Sequence, residues 1–328
     1  MDRAVGFWRS HWKPLFQLYL AFQLVGYALL KLLLWAMRTW FPLLQDGLAL
    51  GNALKNDPTE VVRQSAVGVG TTVAVFTAYT WVIWFASIAG ARYVVGECLN
   101  QKPSPSGSIR YAFARVGPAT RSLILMVFLS IAIALLFGIL TTMAIGLVAY
   151  VLGRGSVGGN AGVLLTGLAT LAGFLVLGLG LLWYLLRFML IAPVLAAEDL
   201  GALASIRRSG QLMSGRIGPG LMNGVKVRAT VLITAMMLVV LVVTSLGSIP
   251  SVFLTLAYAR RPEGIFAVSN AVPELFLIPA ELFHVGVQSL FAPLYIALAS
   301  IFYLDMRARR EGLDLELKLH VLEEGAAR

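Results

Sequence analysis

Six long apolar runs alternate with polar segments along the chain. A helix needs about 20 apolar residues to cross the ~30 Å hydrocarbon core of a bilayer, and each run reaches that length. Membrane strands would instead give ~10-residue segments of alternating polarity. The pattern therefore predicts an all-α integral membrane protein with six transmembrane helices. The predicted spans are residues 15–37, 70–95, 121–152, 161–186, 229–256 and 281–304.

The composition fits this class of protein. Of the residues, 59% are hydrophobic and only 13% are charged, whereas soluble domains carry about 25% charged residues. The first run is longer than the core of a signal peptide and no small-residue cleavage site follows it, so we expect an uncleaved signal anchor. The sequence predicts one transmembrane domain, residues 1–305, and a charged tail, residues 306–328.

Basic residues are divided unequally between the two sets of loops. They are concentrated in the N-terminus, the second and fourth loops and the tail, and they are few in the other loops. Basic loops remain on the cytoplasmic side, so both termini are predicted to be cytoplasmic. The net charge of +10 then faces anionic lipid headgroups, where a basic residue contributes about 1 kcal/mol. Nucleic acid is not needed to explain it.

Two cytoplasmic loops carry related amphipathic segments. SIRYAFARVGPA at 108–119 and SIRRSGQLMSGRIGPG at 205–220 both begin with Ser-Ile-Arg and end with Gly-Pro and a small residue. Apolar residues in both recur at steps of three or four, which favours a helix lying in the membrane interface. We predict interfacial amphipathic helices at 108–117 and 199–217, the second with Asp199 as its N-cap.

The order of these segments predicts an internal repeat. Three hairpins of transmembrane helices would each follow an interfacial helix, and the aromatic and basic segment FWRSHWKPLF provides a fainter first copy. A repeat of this kind buries its apolar faces against neighbouring copies. Coincidence between short motifs in a biased composition is the alternative.

Three segments, at 101–115, 181–216 and 301–317, carry a family resemblance. They resemble the membrane domain found in some bacterial glycerophosphodiester phosphodiesterases and as a stand-alone protein. The matching residues are Arg187, Phe188, Pro193, Glu198, Arg207, Arg208, Ser209, Leu212, Gly215, Arg216, Tyr303, Asp305, Arg307, Arg309, Glu311, Gly312, Leu313 and Asp314. The resemblance implies a six-helix protein of the bacterial cytoplasmic (inner) membrane. It implies no activity, because no catalytic barrel is attached.

Five arginines of the two amphipathic segments are candidates for binding anionic lipid, because the guanidinium group pairs with phosphate in a bidentate manner. These residues are Arg110, Arg115, Arg207, Arg208 and Arg216.

Four further residues are candidates for a polar site within the membrane. Arg187 either snorkels to the cytoplasmic interface or faces the bundle and pairs with a carboxylate such as Glu198. Glu281 and His284 share one face of the last helix and could hold a proton or a cation, although a hydrated structural role is the alternative. Lys31 is predicted to snorkel.

The sequence contains no catalytic motif and one cysteine, Cys98. Neither a disulfide within the chain nor a Cys/His metal cluster is expected, and no cofactor is predicted. The leading expectation is a non-enzymatic accessory or organising protein. Its predicted partners are anionic lipids together with another membrane protein or a second copy of the chain. The alternative is a transporter or permease for a small apolar or amphiphilic solute.

Overall fold

A computed structural model of the chain describes residues 2–41, 56–154, 160–215, 224–258 and 274–312. Every element assigned within these ranges is an α-helix, which confirms the all-helical prediction for this part of the chain. The helices are α1 (Asp2–Ser10), α2 (Trp12–Trp40), α3 (Pro58–Cys98), α4 (Pro105–Ala114), α5 (Val116–Arg154), α6 (Asn160–Phe188), α7 (Ile191–Ala197), α8 (Ala202–Leu212), α9 (Val225–Tyr258) and α10 (Glu274–Glu311).

Six helical segments within the described ranges are long and apolar enough to cross a membrane. They lie in α2, α3, α5, α6 with α7, α9 and α10. Each predicted span lies within one of these helices, but the apolar segments of the third and fourth spans are Val116–Met143 and Thr170–Ala197, shifted from the predicted 121–152 and 161–186. The chain is thus a multi-pass membrane protein by length and composition. The largest difference between a predicted span and its observed helix is at the start of α3. This helix begins at Pro58 because the Asp57 carboxylate accepts a hydrogen bond from the Glu60 amide at 3.2 Å and caps the helix.

The two short loop helices form close to their predicted positions but with different bounds. Helix α4 begins earlier than expected because Ser104 caps it, with its hydroxyl accepting from the Gly107 amide at 3.0 Å. The prediction that Asp199 is an N-cap is wrong, since α8 starts at Ala202 after an extended Gly201. The predicted end of the second helix, residues 216–217, lies outside the described residues.

The chain divides into two compact units. Unit 1 comprises residues 1–116 and 235–302, and unit 2 comprises residues 117–234 and 303–328. In unit 1, Phe113 of α4 stacks on Phe85 of α3 and on Phe22 of α2, with ring centroids 5.4 and 6.4 Å apart. These aromatic contacts fasten α4 to two of the spanning helices.

The N-terminal helix belongs to unit 1 as well. The Trp8 indole donates a hydrogen bond to the Leu290 carbonyl at 2.9 Å and stacks on Phe291, with centroids 5.4 Å apart. Pro293 lies one turn further along α10. A proline removes one hydrogen bond from the helical ladder and bends the helix, so α1 docks beside an irregular part of α10.

Unit 2 is built around the short helix α7, in which all six residues from Ile191 to Ala196 are buried. Close packing in this unit depends on glycine. A Cβ atom at Gly180 would lie 2.3 Å from the Phe137 ring, and one at Gly173 would lie 2.3 Å from Thr141. The absence of a side chain therefore permits close helix packing at these two positions, whereas Gly178 has open space around it.

Candidate functional site

Helix α8 is held in unit 2 by its serine-bearing face. Ser205 and Ser209 are buried, and the Ser209 hydroxyl donates to the Arg187 carbonyl at the end of α6, at 2.8 Å. The opposite side of α8 carries Leu203, which is 61% exposed, and Arg207, which is also exposed. Helix α8 therefore packs against the end of α6 through its serine face and leaves the Arg207 side chain exposed.

A cavity of about 440 Å³ lies between the end of α6, α8 and the start of α9. We call it the basic pocket. Three of its residues are cationic, two are polar and the rest are apolar or glycine. The lining comprises Trp183, Leu186, Arg187, Arg207, Gly210, Gln211, Met213, Ser214 and Lys226.

The three cations of the basic pocket are Arg187, Arg207 and Lys226. Arg187 lies over the Trp183 ring, with its guanidinium carbon 5.2 Å from the ring centroid. Within the described ranges, none of the three forms an ion pair with a carboxylate. Three positive charges that line one cavity without a carboxylate in the lining favour an anion there. The pocket is therefore suited to a phosphate group, which two guanidiniums can bind through bidentate hydrogen bonds.

Arg208, the next residue on α8, lies in a different environment that we call the charge cluster. The cluster contains Glu198, Arg208, Tyr303, Arg307 and Glu311. The Arg208 Nε atom lies 3.0 and 3.2 Å from the two Glu198 carboxylate oxygens, and its Nη2 atom lies 2.6 Å from Glu311 Oε2. Arg307 Nε donates to the same Glu311 oxygen at 3.1 Å.

The tyrosine completes the charge cluster. The Tyr303 hydroxyl donates to Glu198 at 2.8 Å and accepts from Arg307 at 3.3 Å. Two guanidiniums thus balance two carboxylates, and only 15% of the Glu198 side chain and 24% of the Arg208 side chain are exposed. Burial alone would lower the pKa of Arg208, but hydrogen bonds and charge interactions with Glu311 and Glu198 outweigh burial and raise it. This arrangement fixes α8 to the end of α10.

Arg310 adds a second attachment between the same helices. Its guanidinium donates to the carbonyl oxygens of Gln211, at 2.7 Å, and of Ser214. A cation at the C-terminal end of a helix satisfies carbonyls that lack helical partners. The charge cluster and Arg310 together position the basic pocket.

Two of the three remaining arginines predicted to bind lipid are described, and they lie in different surroundings. Arg110 is exposed on α4. Arg115 contacts Tyr111, its Nη1 atom lying 3.4 Å from the hydroxyl, and Arg92 also lies over this ring. Arg216 lies outside the described residues. Among the four predicted arginines that the structure describes, Arg207 alone lines the basic pocket.

The predicted polar residues of the last helix lie in unit 1 and have a partner that the sequence did not indicate. Lys31 Nζ of α2 is 2.7 Å from Glu281 Oε2, and the Tyr27 hydroxyl donates to the same oxygen at 2.9 Å. Lys31 therefore forms an ion pair instead of only snorkelling. The His284 Nε2 atom lies 2.9 Å from the Gln288 amide nitrogen.

Two residues that line the basic pocket, Trp183 and Lys226, are not among the predicted site residues, because the sequence around them gives little indication of a site. Trp183 stands one turn before Arg187, the spacing at which helical side chains meet, and this pair is visible in the sequence. Lys226 contributed only to the orientation argument, and nothing local relates it to Arg187. The four residues predicted to form one polar site are divided between surroundings, with Glu198 in the charge cluster and Arg187 in the basic pocket.

The described geometry thus contains an uncompensated basic pocket, a neutral charge cluster and an ion pair within the spanning helices. Comparison with known proteins identifies none of these arrangements. No family model, no curated protein and no solved structure matches the chain.

Proposed function

We propose that the protein is a non-enzymatic, multi-pass protein of the bacterial cytoplasmic membrane that binds anionic phospholipid and organises or assists other membrane proteins. The basic pocket is the observation that carries this proposal, because Arg187, Arg207 and Lys226 meet there with no acidic residue in the lining. Trp183 supplies an amphipathic ring of the kind enriched at membrane interfaces. A phosphate headgroup would neutralise the pocket while its acyl chains remain in the bilayer.

The proposed topology consists of three repeats with both termini in the cytoplasm. The order of elements supports it, since a short helix followed by two long segments occurs three times along the described chain. Serines at equivalent positions of two proposed repeats also form the same hydrogen bond. Ser108 and Ser205 are buried, and each hydroxyl donates to the carbonyl four residues earlier, at 3.1 and 2.9 Å. The arginines two positions after them, Arg110 and Arg207, are both exposed.

The relationship to the membrane domain of glycerophosphodiester phosphodiesterases remains part of the proposal. Residues of the two motifs that suggested it, at 198–209 and 303–311, meet in the charge cluster. Such a contact gives a structural reason for both motifs to occur in one chain. The proposed relationship does not assign an enzymatic activity to the chain.

Removing the charges of the basic pocket should weaken lipid binding. The Arg187→Gln/Arg207→Gln variant loses two cations worth about 1 kcal/mol each near a membrane surface, so we expect affinity for phosphatidylglycerol to fall about 30-fold. Native mass spectrometry of the full chain, released from nanodiscs of defined composition, measures the bound lipid. The same preparation from the native host identifies associated proteins.

A matched control separates the pocket from general surface charge. Lys102→Gln/Arg121→Gln also removes two exposed cations, one from the segment before α4 and one from the first turns of α5, but neither residue lines the basic pocket. This control should retain most of the affinity. Equal losses in the two double variants would contradict a specific pocket and leave only diffuse attraction to the bilayer.

Transport of a small apolar or amphiphilic solute is the second candidate function, favoured by the Lys31–Glu281 pair within the spanning helices. Ionisable residues in such positions often mark solute pathways. If this function holds, proteoliposomes should move an NBD-labelled fatty acid between leaflets, and Glu281→Gln should slow the movement at least tenfold. Glu60→Gln, at the start of α3, is the control that should not change the rate. Equal rates in empty liposomes would exclude transport of this probe.

A further inference from the structure

Unit 1 contains two adjoining cavities among α2, α3, α9 and α10. The larger has a volume of about 520 Å³ and the smaller about 280 Å³. Both are lined by Gln23, Tyr79 and Gln288, so the two cavities adjoin at these three side chains and are considered together. We call this space the elongated cavity. Its volume falls in the range of ligand sites, about 300–1,000 Å³.

The length of the elongated cavity can be read along α2. Its lining runs from Tyr19 at one end to Leu34 at the other, which corresponds to about 22 Å at 1.5 Å per residue. One leaflet of the hydrocarbon core is about 15 Å thick, half of the ~30 Å total. The elongated cavity is therefore long enough for one acyl chain and part of a headgroup.

The two ends of the elongated cavity differ in chemistry. The larger part carries no charged residue, and its polar groups are hydroxyls and amides such as those of Tyr19, Thr244 and Gln288. The smaller part contains the Lys31–Glu281 pair. An apolar tube with a charged end matches a single amphiphilic chain better than a purely apolar or a purely polar solute.

The charged end also selects between headgroups. A purely anionic headgroup at Lys31 would face the Glu281 carboxylate, and a purely cationic one would face the Lys31 ammonium. A headgroup with both charges can pair with each residue, so that no buried charge is left unpaired. Val240, which lines the larger part, is 39% exposed, so the elongated cavity reaches the lipid-facing surface of the spans.

We propose that the elongated cavity binds a zwitterionic lipid, with its headgroup at the Lys31–Glu281 pair and one chain extending toward Tyr19 and Tyr295. This site shares no residue with the basic pocket, and the inference does not depend on anionic lipid binding there. The shared chemistry is a phosphoethanolamine headgroup on an acyl chain. It can come from a single-chain lysolipid, whose one chain occupies the cavity, or from a diacyl lipid whose second chain lies outside.

Binding of lysophosphatidylethanolamine to the full chain in detergent micelles tests the proposal. We expect the wild type to prefer this lipid at least tenfold over lysophosphatidylglycerol of the same chain length. Ala292→Phe places a ring in the larger part of the cavity and should lower the affinity at least tenfold. Ala74→Phe makes the same change at an exposed position on α3 and should leave affinity unchanged.

A second variant keeps the test decisive if Ala292→Phe fails to fold. Lys31→Met/Glu281→Gln removes both charges together, and it should abolish the headgroup preference while binding of the chain persists. Arg187→Gln/Arg207→Gln should keep the preference, which separates this site from the basic pocket. Tighter binding of diacyl phosphatidylethanolamine than of the lysolipid would identify the diacyl lipid as the source. Equal affinity of the wild type for both lysolipid headgroups, or undiminished binding by a folded Ala292→Phe variant, would overturn the proposal.

Discussion

Glu198→Ala is expected to lower the free energy of unfolding by about 3 kcal/mol, because it leaves two mostly buried guanidiniums with one carboxylate between them. The Arg208 Nε–H loses the two carboxylate oxygens that accept from it, and the Tyr303 hydroxyl loses its acceptor. The thermal midpoint of the detergent-solubilised protein should fall by roughly 5–10 °C. Differential scanning fluorimetry of the purified full chain measures the shift.

Asp305→Ala is the matched control for this substitution. Asp305 accepts from Arg309 at 2.9 Å, but the two side chains are 37% and 45% exposed. An exposed pair one helical turn apart contributes at most about 0.5 kcal/mol, so the midpoint should barely change. If both alanine variants lowered the midpoint equally, the charge cluster would be no more than a surface feature.

The Lys31–Glu281 pair should show strong coupling in a double-mutant cycle. Lys31→Met alone leaves the Glu281 carboxylate without its ammonium partner inside a spanning helix and is expected to cost about 3 kcal/mol. Removing the second charge as well, in Lys31→Met/Glu281→Gln, should recover about 2 kcal/mol of that loss. Unfolding in mixed micelles with increasing dodecyl sulfate measures Lys31→Met, Glu281→Gln and the double variant against the wild type.

The exposed Glu60–Arg63 pair provides the comparison for this cycle. Its two side chains are 33% and 73% exposed, and their closest atoms are 2.9 Å apart. The corresponding Arg63→Met substitution should leave stability almost unchanged, because an exposed ion pair contributes little. Additive effects at Lys31 and Glu281 would show that these two charges do not stabilise each other in the membrane.

The spanning helices were predictable because the relevant information is local. An apolar run of sufficient length predicts a span wherever it packs, and all six predicted spans lie within observed helices. Helix ends depend on single capping residues, which explains the error at Asp199. There the sequence offered an acidic residue, a common cap, while the structure uses the extended backbone of Gly201.

Side-chain partners between distant helices were much less predictable. Lys31 was expected to snorkel because the residues around it give no sign of Glu281. Arg207 and Arg208 are neighbours in sequence, yet one lines the basic pocket and the other belongs to the charge cluster. Adjacent positions on a helix point in directions about 100° apart, and only tertiary packing determines which direction meets carboxylates.

The division of the chain into two units has a consequence for synthesis. Unit 1 joins residues 1–116 to residues 235–302. The whole of segment 117–234 is therefore translated before the second part of unit 1 is made. Lys31 and Glu281 are 250 positions apart, a delay of roughly 10–50 s at a translation rate of 5–20 residues per second. During that interval the Lys31 ammonium has no Glu281 to pair with. The nascent first span therefore has to be held at the insertion machinery, or shifted toward the headgroups, until the last helix arrives.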